Sequence, residues 1–260
     1  MFGRRSIDLE SYVLNRADPR RRQGTLGVMP LKEEQRPVTD GLSTVPDQRA
    51  IWDDWHRTHT SASRSSNAHN LVDEFVDLLP HSEDHRILEV GCGQGREAIA
   101  LARMGLAVDA IDLSPLAVAL ARENAQKAGV TLSIIEHDAA ELLPYDSYRF
   151  AGVFAHLSLH YFDETTTRKI FAELARVTMP GGGILFTVRS VHDRFYGRGD
   201  QVDENLFCFE GHVRGFFDKQ HVRSVLIDWD ECSEEYYDIA GERRDNPGSF
   251  LKVTAKRRPT

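Results

Sequence analysis

The sequence predicts an α/β domain with a doubly wound, mostly parallel sheet. The first observation is that residues 86–114 read as strand, glycine turn, helix, strand and acid, in that order. The second is that apolar runs and helical patterns keep alternating as far as Val188. The length of 260 residues and the hydrophobic content of 41% suit one sizeable domain with an appendage.

The glycine turn follows the short apolar run Ile87–Val90 and places glycines at positions 91, 93 and 95. Glycine is needed where a backbone turns sharply and lies against a ligand that a Cβ would push away. The first amides of the next helix, from Arg96, point at that ligand. Asp112 ends the second apolar strand, where a carboxylate can accept both hydroxyls of a ribose. The stretch therefore predicts a nucleoside site at the carboxyl edge of a parallel sheet.

The glycine spacing narrows the choice of nucleoside. A dinucleotide fingerprint places its third glycine three residues after the second, and that position is Arg96. A phosphate loop of the Walker type needs Gly-Lys-Ser or Gly-Lys-Thr, which the sequence does not contain. A nicotinamide oxidoreductase is accordingly disfavoured.

At these residues the sequence resembles the class I S-adenosylmethionine-dependent methyltransferases. Their first motif is an acidic residue, one further residue and Gly-x-Gly-x-Gly, which Glu89, Gly91, Gly93 and Gly95 match in turn. Asp112 falls where that family holds the ribose. The resemblance implies S-adenosyl-L-methionine as cofactor and S-adenosyl-L-homocysteine as product. It also implies a Rossmann-like, seven-stranded, mostly parallel sheet with the last strand antiparallel.

The resemblance assigns further residues to the cofactor. It implies that Asp138 accepts from the adenine amine while the Ala139 amide meets the ring, and that His156 lines the methionine part. A turn-forming role for Asp138 stays open, since aspartate is common in turns. The tryptophan-bearing helix after residue 46 is expected either to cover the cofactor as a lid or to pin itself on the core. The full set of expected cofactor contacts is Trp52, Glu89, Gly91, Cys92, Gly93, Gly95, Asp112, Leu113, Asp138, Ala139 and His156.

Composition shifts and apolar patterns divide the chain. The predicted parts are a flexible arm (1–45) and a methyltransferase domain (46–258), the latter comprising lid helices (46–80), a cofactor-binding core (86–189) and substrate-pocket loops (190–224 and 230–248). Predicted helices cover 71–79, 96–104, 115–128, 164–177 and 217–226, and predicted later strands cover 132–135, 150–155, 184–188, 225–229 and 249–255. Met179–Gly183 matches the family's Pro-Gly-Gly turn before its fifth strand.

Methyl transfer needs in-line positioning and, for a hydroxyl or a protonated amine, a general base. Histidine titrates in the right range, so His160, His192 and His212 are the candidate bases, with His160 first because it follows the fourth strand. Arginines can hold an acidic acceptor through a planar fork. The expected acceptor contacts are Tyr161, Arg194, Tyr196, Arg214 and Tyr236, although a packing role for these loop residues stays open.

The leading hypothesis is methyl transfer to oxygen or nitrogen of a polar small-molecule metabolite in specialised metabolism. A chalcogen or thiol acceptor is the alternative, because the region after Arg189 resembles tellurite-resistance-like and thiopurine-like small-molecule methyltransferases. A protein that binds S-adenosylmethionine without catalysis also stays open.

Charge and cysteine content bound the partners. A formal net charge of −8 argues against a general nucleic-acid surface, so we expect a small-molecule acceptor and no nucleic acid. No apolar run reaches membrane-spanning length, and we expect no membrane association. Three cysteines without metal spacing fit a reducing, cytoplasmic location and no metal site. The sequence leaves the oligomeric state open.

Overall fold

A computed structural model describes residues 47–59, 68–80, 86–238 and 249–259. The predicted arm (1–45), the segment 60–67 and the end of the second predicted pocket loop (239–248) lie outside the described residues. No described helix is long and apolar enough to cross a membrane.

The core of the fold is a seven-stranded sheet in the order β3-β2-β1-β4-β5-β10-β9. Strands β1 to β5 pair in parallel, and β10 is antiparallel to both β5 and β9. The predicted mostly parallel sheet is thus confirmed, with β10 as its reversed strand. The bounds are β1 Arg86–Val90, β2 Ala107–Asp112, β3 Ser133–Glu136, β4 Phe150–His156, β5 Thr178–Arg189, β9 Trp229–Tyr237 and β10 Phe250–Arg257.

Helices cover both faces of this sheet. Their bounds are α1 Gln48–Thr58, α2 Ala68–Leu78, α3 Arg96–Arg103, α4 Pro115–Ala128, α5 Glu164–Val177 and α6 Lys219–Val225. Side chains of a strand alternate between faces, and β1 shows the consequence. Its Ile87 packs in the cluster that contains α2, α3 and α4 residues, whereas Leu88 packs in the cluster of α5 and α6. The sheet therefore lies between two apolar layers.

Local signals set the ends of these helices. Ser114 caps α4 by accepting from the Ala117 N–H, Pro115 occupies the first helical position, and Gly129 ends the helix with φ +69°. Asp163 caps α5 in the same way, through Thr166. Both helices begin and end where the sequence predicts, because the capping residues are local and unambiguous.

The region after β5 differs from the prediction. Residues 190–224 are not only a loop: they contain a three-stranded antiparallel meander of β6 (Asp200–Asp203), β7 (Leu206–Phe209) and β8 (His212–Gly215). The predicted helix 217–226 is shorter, and the strand predicted at 225–229 begins only at Trp229. Residues 233–237, expected within a hairpin loop, belong to β9, where pairing with β10 extends the strand. Strand β5 starts at Thr178 and runs through the predicted Pro-Gly-Gly turn.

Candidate cofactor and acceptor site

The glycine turn joins β1 to α3 with a backbone that other residues would strain. Gly91 has φ +72°, and a Cβ added there would lie 2.3 Å from the Ser158 Cβ. Gly95 has φ +80° at the N-cap of α3, and its Cβ would lie 3.0 Å from the Ala121 Cβ. The turn is tied to β2, since the Gly91 and Cys92 N–H groups both donate to the Ile111 carbonyl. Glycine is therefore required here by conformation and by space.

Asp112 ends β2 beside this turn with a carboxylate that is only 8% exposed. Its Oδ2 accepts from the Gly93 N–H at 2.7 Å, and its Oδ1 accepts from the Ser114 N–H at 2.9 Å. Burial raises its pKa, and these two hydrogen bonds oppose that rise. Each oxygen offers two lone pairs, so one acceptor site per oxygen remains beyond these two bonds. That arrangement can receive a pair of hydroxyls.

Glu89 lies on β1, close enough to Asp112 for the two carboxyl groups to interact, and is 2% exposed. Burial raises the pKa of Glu89 well above its usual value, and the charges of Glu97 and Asp112 raise it further. Its Oε2 is buried with no hydrogen-bond partner among the described residues. A buried acceptor of this kind is costly unless a donor satisfies it, which fits an incoming ligand with N–H or O–H groups.

Helix α1 lies over the glycine turn as a lid. A Cβ on Gly93 would approach the His56 ring to 3.3 Å, and the Gln94 side chain donates to the His59 carbonyl at 2.6 Å. Trp52 packs edge-on against Tyr161, with ring centroids 4.9 Å apart. Helix α1 therefore contacts the glycine turn, and Trp52 packs on Tyr161.

Asp53 on this lid was not singled out from the sequence. Its Oδ1 accepts from the Ser114 hydroxyl and from the Leu116 N–H, at the start of α4. Arg49 forms an ion pair with Glu136 at the end of β3. These contacts fix α1 across the ends of β2 and β3, and no local pattern near Asp53 predicts them.

The remaining expected adenine-side residues lie at the same sheet edge. Asp138 follows β3, and its Oδ1 accepts from the Ala140 N–H at 2.9 Å, which is a local turn contact. Cys92 is buried, and burial raises the pKa of its thiol well above the usual value, as expected for a small filler. Ala139 and Leu113 are half-buried beside Asp138 and Asp112.

The end of β4 faces the glycine turn. His156 Nδ1 lies 2.7 Å from the Thr187 hydroxyl, and Leu157 adopts φ +55°, a conformation uncommon outside glycine. The Ser158 hydroxyl donates to the Val90 carbonyl at 2.5 Å, linking β4 to the last residue before Gly91. Ser158 was not identified from the sequence, although its position directly after a strand end could have drawn attention to it.

His160 and Tyr161 follow β4 and connect the lid to the meander. His160 is 1% exposed, and neither ring nitrogen has a hydrogen-bond partner among the described residues. Its carbonyl accepts from the Gly215 N–H of β8 at 2.7 Å, and its ring lies 4.2 Å from that of Tyr161. Burial lowers the pKa of His160 well below its usual value, and the charges of Arg189 and Arg214 lower it further. The imidazole is therefore held in its neutral form.

The other expected acceptor residues lie between β5 and β6, on β8 of the meander and on β9. Tyr196 is half-exposed and donates to the Asn205 side chain at 2.9 Å, and its ring packs on Phe207. His192 packs against Tyr236 with centroids 4.8 Å apart. Two further residues carry lowered pKa values through burial: His212 and Arg214. The structure thus brings His160, Tyr161 and Arg214 together, while His192 and Tyr236 form a second pair.

The described ranges contain no group of three His, Cys, Asp or Glu side chains that could hold a metal ion. All three cysteines are free thiols.

Residues 87–182 match the family model described as a methyltransferase domain. The 27-O-demethylrifamycin SV methyltransferase of Amycolatopsis mediterranei is 33% identical over 133 residues, which cover 50% of this chain and 46% of that protein. The S-adenosyl-L-methionine-dependent Diels-Alderase iccD of Talaromyces variabilis is 36% identical over 142 residues, covering 52% and 46%. The chain spans about half the length of the curated relatives it matches.

Solved structures confirm the fold. A protein studied in the conversion of a disulfide bond into a thioacetal group during echinomycin biosynthesis aligns with a TM-score of 0.61 at 19% identity. The alignment covers 82% of this chain and 93% of that one. At this identity the likeness concerns the architecture alone.

Proposed function

We propose that this chain, which belongs to the class I S-adenosylmethionine-dependent methyltransferases, transfers a methyl group from S-adenosylmethionine to oxygen or nitrogen of a polar small molecule. The observation that carries the proposal is the pairing of the strained glycine turn with Asp112. Its carboxylate holds the turn through the Gly93 N–H and keeps one acceptor site on each oxygen for a ribose hydroxyl.

The residues of the pocket fit this cofactor. A Cβ at Gly91 would fill the space between the turn and Ser158, and Glu89 keeps a buried oxygen without a partner among the described residues. The backbone of the turn and Cys92 would hold the methionine part together with His156, while Asp112 and Leu113 would hold the ribose. Asp138 and Ala139 would meet the adenine, and Trp52 would cover the cofactor from α1. Bound S-adenosylmethionine supplies an electrophilic methyl group on a sulfonium.

The chain's own residues would position the acceptor and remove its proton. Holding the two reactants in line contributes on the order of 7 to 11 kcal/mol. His160 is our candidate base, since its buried ring is neutral and lies between the lid contact Tyr161 and the meander. A general base contributes about 10² to 10⁴-fold in rate for an acceptor that still carries its proton. His192 and His212 stay candidates because both follow β5 in the sequence. They precede Arg194 and Arg214 by two residues each.

The parts of the chain divide this work. The described parts of residues 46–80 would form the lid and a supporting helix, residues 86–189 would form the cofactor-binding core, and the described parts of residues 190–224 and 230–248 would form the acceptor side. We assign acceptor contacts to Tyr161, Arg194, Tyr196, Arg214 and Tyr236. The three free thiols support a reducing, cytoplasmic setting.

Two other functions have support. A thiol or chalcogen acceptor would ionise without help from a base and would leave the role of His160 to packing. Use of S-adenosylmethionine without methyl transfer is favoured by the similarity to a protein named as a Diels-Alderase that depends on it. Both alternatives keep the same cofactor site and differ only in the reaction of the molecule bound next to the cofactor.

The test combines binding and product analysis. Calorimetry should show binding of S-adenosylmethionine, and incubation with methyl-labelled donor and a cell extract should give a labelled small molecule whose O-, N- or S-methyl group mass spectrometry identifies. Binding without any labelled product would favour the non-transferring alternative. No binding at all would remove the proposal.

A further inference from the structure

The side chain of Phe195 is surrounded by arginines. Four guanidinium carbons lie within 6 Å of its ring centroid: Arg194 at 4.7 Å, Arg214 at 5.4 Å, Arg189 at 5.6 Å and Arg198 at 5.9 Å. We call this group the Phe195 arginine cluster. Because each carbon lies within 5.9 Å of the same ring centroid, any two of the carbons are at most twice that distance apart. The cluster is a concentrated positive charge on a chain whose formal net charge is −8.

The described residues supply few negative partners for this charge. Asp193 is buried and pairs with Arg189 at 2.5 Å. Among the described residues, no ion pair is formed by Arg194, Arg198 or Arg214. A ring face attracts a cation only weakly, and the charges of Asp193 and Glu210 that act on Arg214 offset only part of the repulsion among four arginines.

Buried donors and acceptors next to the cluster are also unsatisfied. Among the described residues, the Arg189 Nε has no hydrogen-bond partner. The two ring nitrogens of His160 have none either. The charges of Arg189 and Arg214 both lower the pKa of His160, which places these groups close together. Buried polar atoms of this kind are uncommon and call for a ligand or an ordered water.

The cluster lies at the edge of the sheet where the cofactor site is built. In register, Glu89 of β1 pairs with Phe154 of β4, and His156 of β4 pairs with Thr187 of β5. Arg189 is two residues past Thr187, at the same carboxyl edge as Gly91. Arg214 lies close enough to the Tyr161 side chain for the two to interact electrostatically, and the Tyr161 ring contacts the lid residue Trp52. A group bound at the cluster would therefore extend from the place where the methyl acceptor must sit.

We infer that the Phe195 arginine cluster binds an anionic group, a carboxylate or a phosphate, carried by the methyl acceptor. This inference rests on the proposed function and gives the acceptor a class: a small organic acid or phosphate ester. Planar guanidinium forks match either oxyanion in two-point contacts, and the half-buried Arg189 and Arg214 would bind it most directly. Arg194 and Arg198 are exposed and form the rim.

Binding of simple anions tests the inference without the acceptor. Inorganic phosphate and succinate are titrated into the full chain at constant ionic strength, with sodium chloride as the reference salt, and the melting temperature and calorimetric heat are followed. We expect saturable binding of at least one anion and a loss of about tenfold or more in affinity in the double variant Arg194→Gln/Arg214→Gln, which removes one direct contact and one rim charge. The matched control is Arg103→Gln, an exposed arginine at the end of α3, which should bind like the parent protein.

Each outcome decides something. Phosphate binding without succinate binding supports a phosphate ester, and the reverse supports a carboxylic acid. Binding of neither, or equal loss in Arg103→Gln, overturns the inference. Tight, salt-sensitive binding of a single-stranded oligonucleotide that the double variant loses would overturn it in favour of a nucleic-acid partner.

Calorimetry with S-adenosylmethionine on the same proteins separates this inference from the proposed function. Protein that binds S-adenosylmethionine but neither anion overturns this inference alone. Protein that binds an anion but not S-adenosylmethionine overturns the proposed function and the acceptor assignment with it. Labelled product should also be retained on an anion exchanger, and a neutral product would count against the cluster as an acceptor site.

Discussion

The cofactor half and the acceptor half of the site have opposite charge. In the cofactor half, burial and neighbouring acids raise the pKa of Glu89, and Asp53 adds to the rise in the pKa of Asp112. In the acceptor half, burial and the charge of Arg189 lower the pKa of Arg214. A buried acid cluster is stabilised by a cation and a buried arginine cluster by an anion. The site that we propose therefore suits a cationic donor next to an anionic acceptor.

The two halves also differ in what forms them. The cofactor half depends on backbone: glycines with positive φ, amides at the start of α3, and one carboxylate that fixes the turn. The acceptor half depends on side chains from separate elements: His160 after β4, Arg189 at the end of β5, and Arg214 on β8 of the meander. Backbone sites tolerate little change, whereas side-chain sites can be altered one contact at a time. The variants below use this difference, in order of decreasing expected effect.

Gly91→Ala should damage the cofactor half most. The new Cβ would meet Ser158 at 2.3 Å and would sit at φ +72°. Strain of about 1–2 kcal/mol from the backbone and about 1–3 kcal/mol from overpacking should lower S-adenosylmethionine affinity by about 100-fold or more, measured by calorimetry. Gly105→Ala is the control, because Gly105 has φ +90° with open space around it. It should lose stability without losing affinity. Equal affinity of Gly91→Ala and the parent would contradict the backbone account of this half.

His160→Ala should damage the acceptor half alone. If its ring is the base, turnover should fall by about 10² to 10⁴-fold while the dissociation constant for S-adenosylmethionine stays within about twofold. His221→Ala is the control, since that ring pairs with Glu164 and stacks on Phe217 outside the site. It should keep its turnover. Normal turnover in His160→Ala would exclude it as the base and would leave His192 or His212 in that role, or an acceptor that needs no base.

The pH profile sharpens the same test. The pKa of His160 is lowered first by burial and then by the Arg189 and Arg214 charges, so the neutral, basic form persists as the pH falls below about 6.5, the usual histidine value. The acid limb of turnover should therefore lie below that pH. Arg214→Gln removes one of the lowering charges and should move the limb upward under saturating acceptor. If the acid limb of Arg214→Gln lay at the same pH as that of the parent protein, the limb would not report the protonation of His160.

Part of this molecule is readable from sequence because its signals are local. Strand β1, the glycine turn, α3 and β2 follow the predicted order, and α4 and α5 have the predicted ends, since each rests on a cap, a glycine or an apolar run within a few residues. The same holds for the ribose residue Asp112, which is placed by the end of a strand. Its contacts with Gly93 and Ser114 follow from adjacency in the sheet.

The meander was not predicted from the sequence, because its strands are short and contain both polar and apolar residues. One signal was nevertheless present: Glu210 and Gly211 have φ +52° and +77° and join β7 to β8 as a two-residue turn. An X-Gly pair between alternating segments is a hairpin signal. The Phe195 arginine cluster could not be predicted in the same way, because Arg189 and Arg214 meet only after the meander folds back on the end of β5.

Asp112→Ala should weaken S-adenosylmethionine binding by roughly 1.5–3 kcal/mol, the range for hydrogen bonds to a charged group. The matched control is Asp109→Asn on the same strand, whose buried carboxylate pairs with Arg86 and Arg149 instead of the turn. It should lower the melting temperature and leave affinity unchanged. The measurement is calorimetry on both variants with melting curves in parallel. Unchanged affinity in Asp112→Ala would remove the ribose assignment.

Asp53→Ala should have the smallest effect and tests how the lid is held. Its loss leaves the Ser114 hydroxyl and the Leu116 N–H without this acceptor, which should cost about 0.5–2 kcal/mol, as for a lost helix cap. Asp54→Ala is the control, because the Asp54 side chain is 74% exposed and pairs only with Arg57 among the described residues. Hydrogen exchange should accelerate across α1 in Asp53→Ala, and S-adenosylmethionine affinity should fall a few-fold. Asp53 links α1 to the start of α4, whereas Trp52 beside it packs on Tyr161. If Asp53→Ala and Asp54→Ala behaved alike, packing on Tyr161, and not the link to α4, would be what keeps α1 in place.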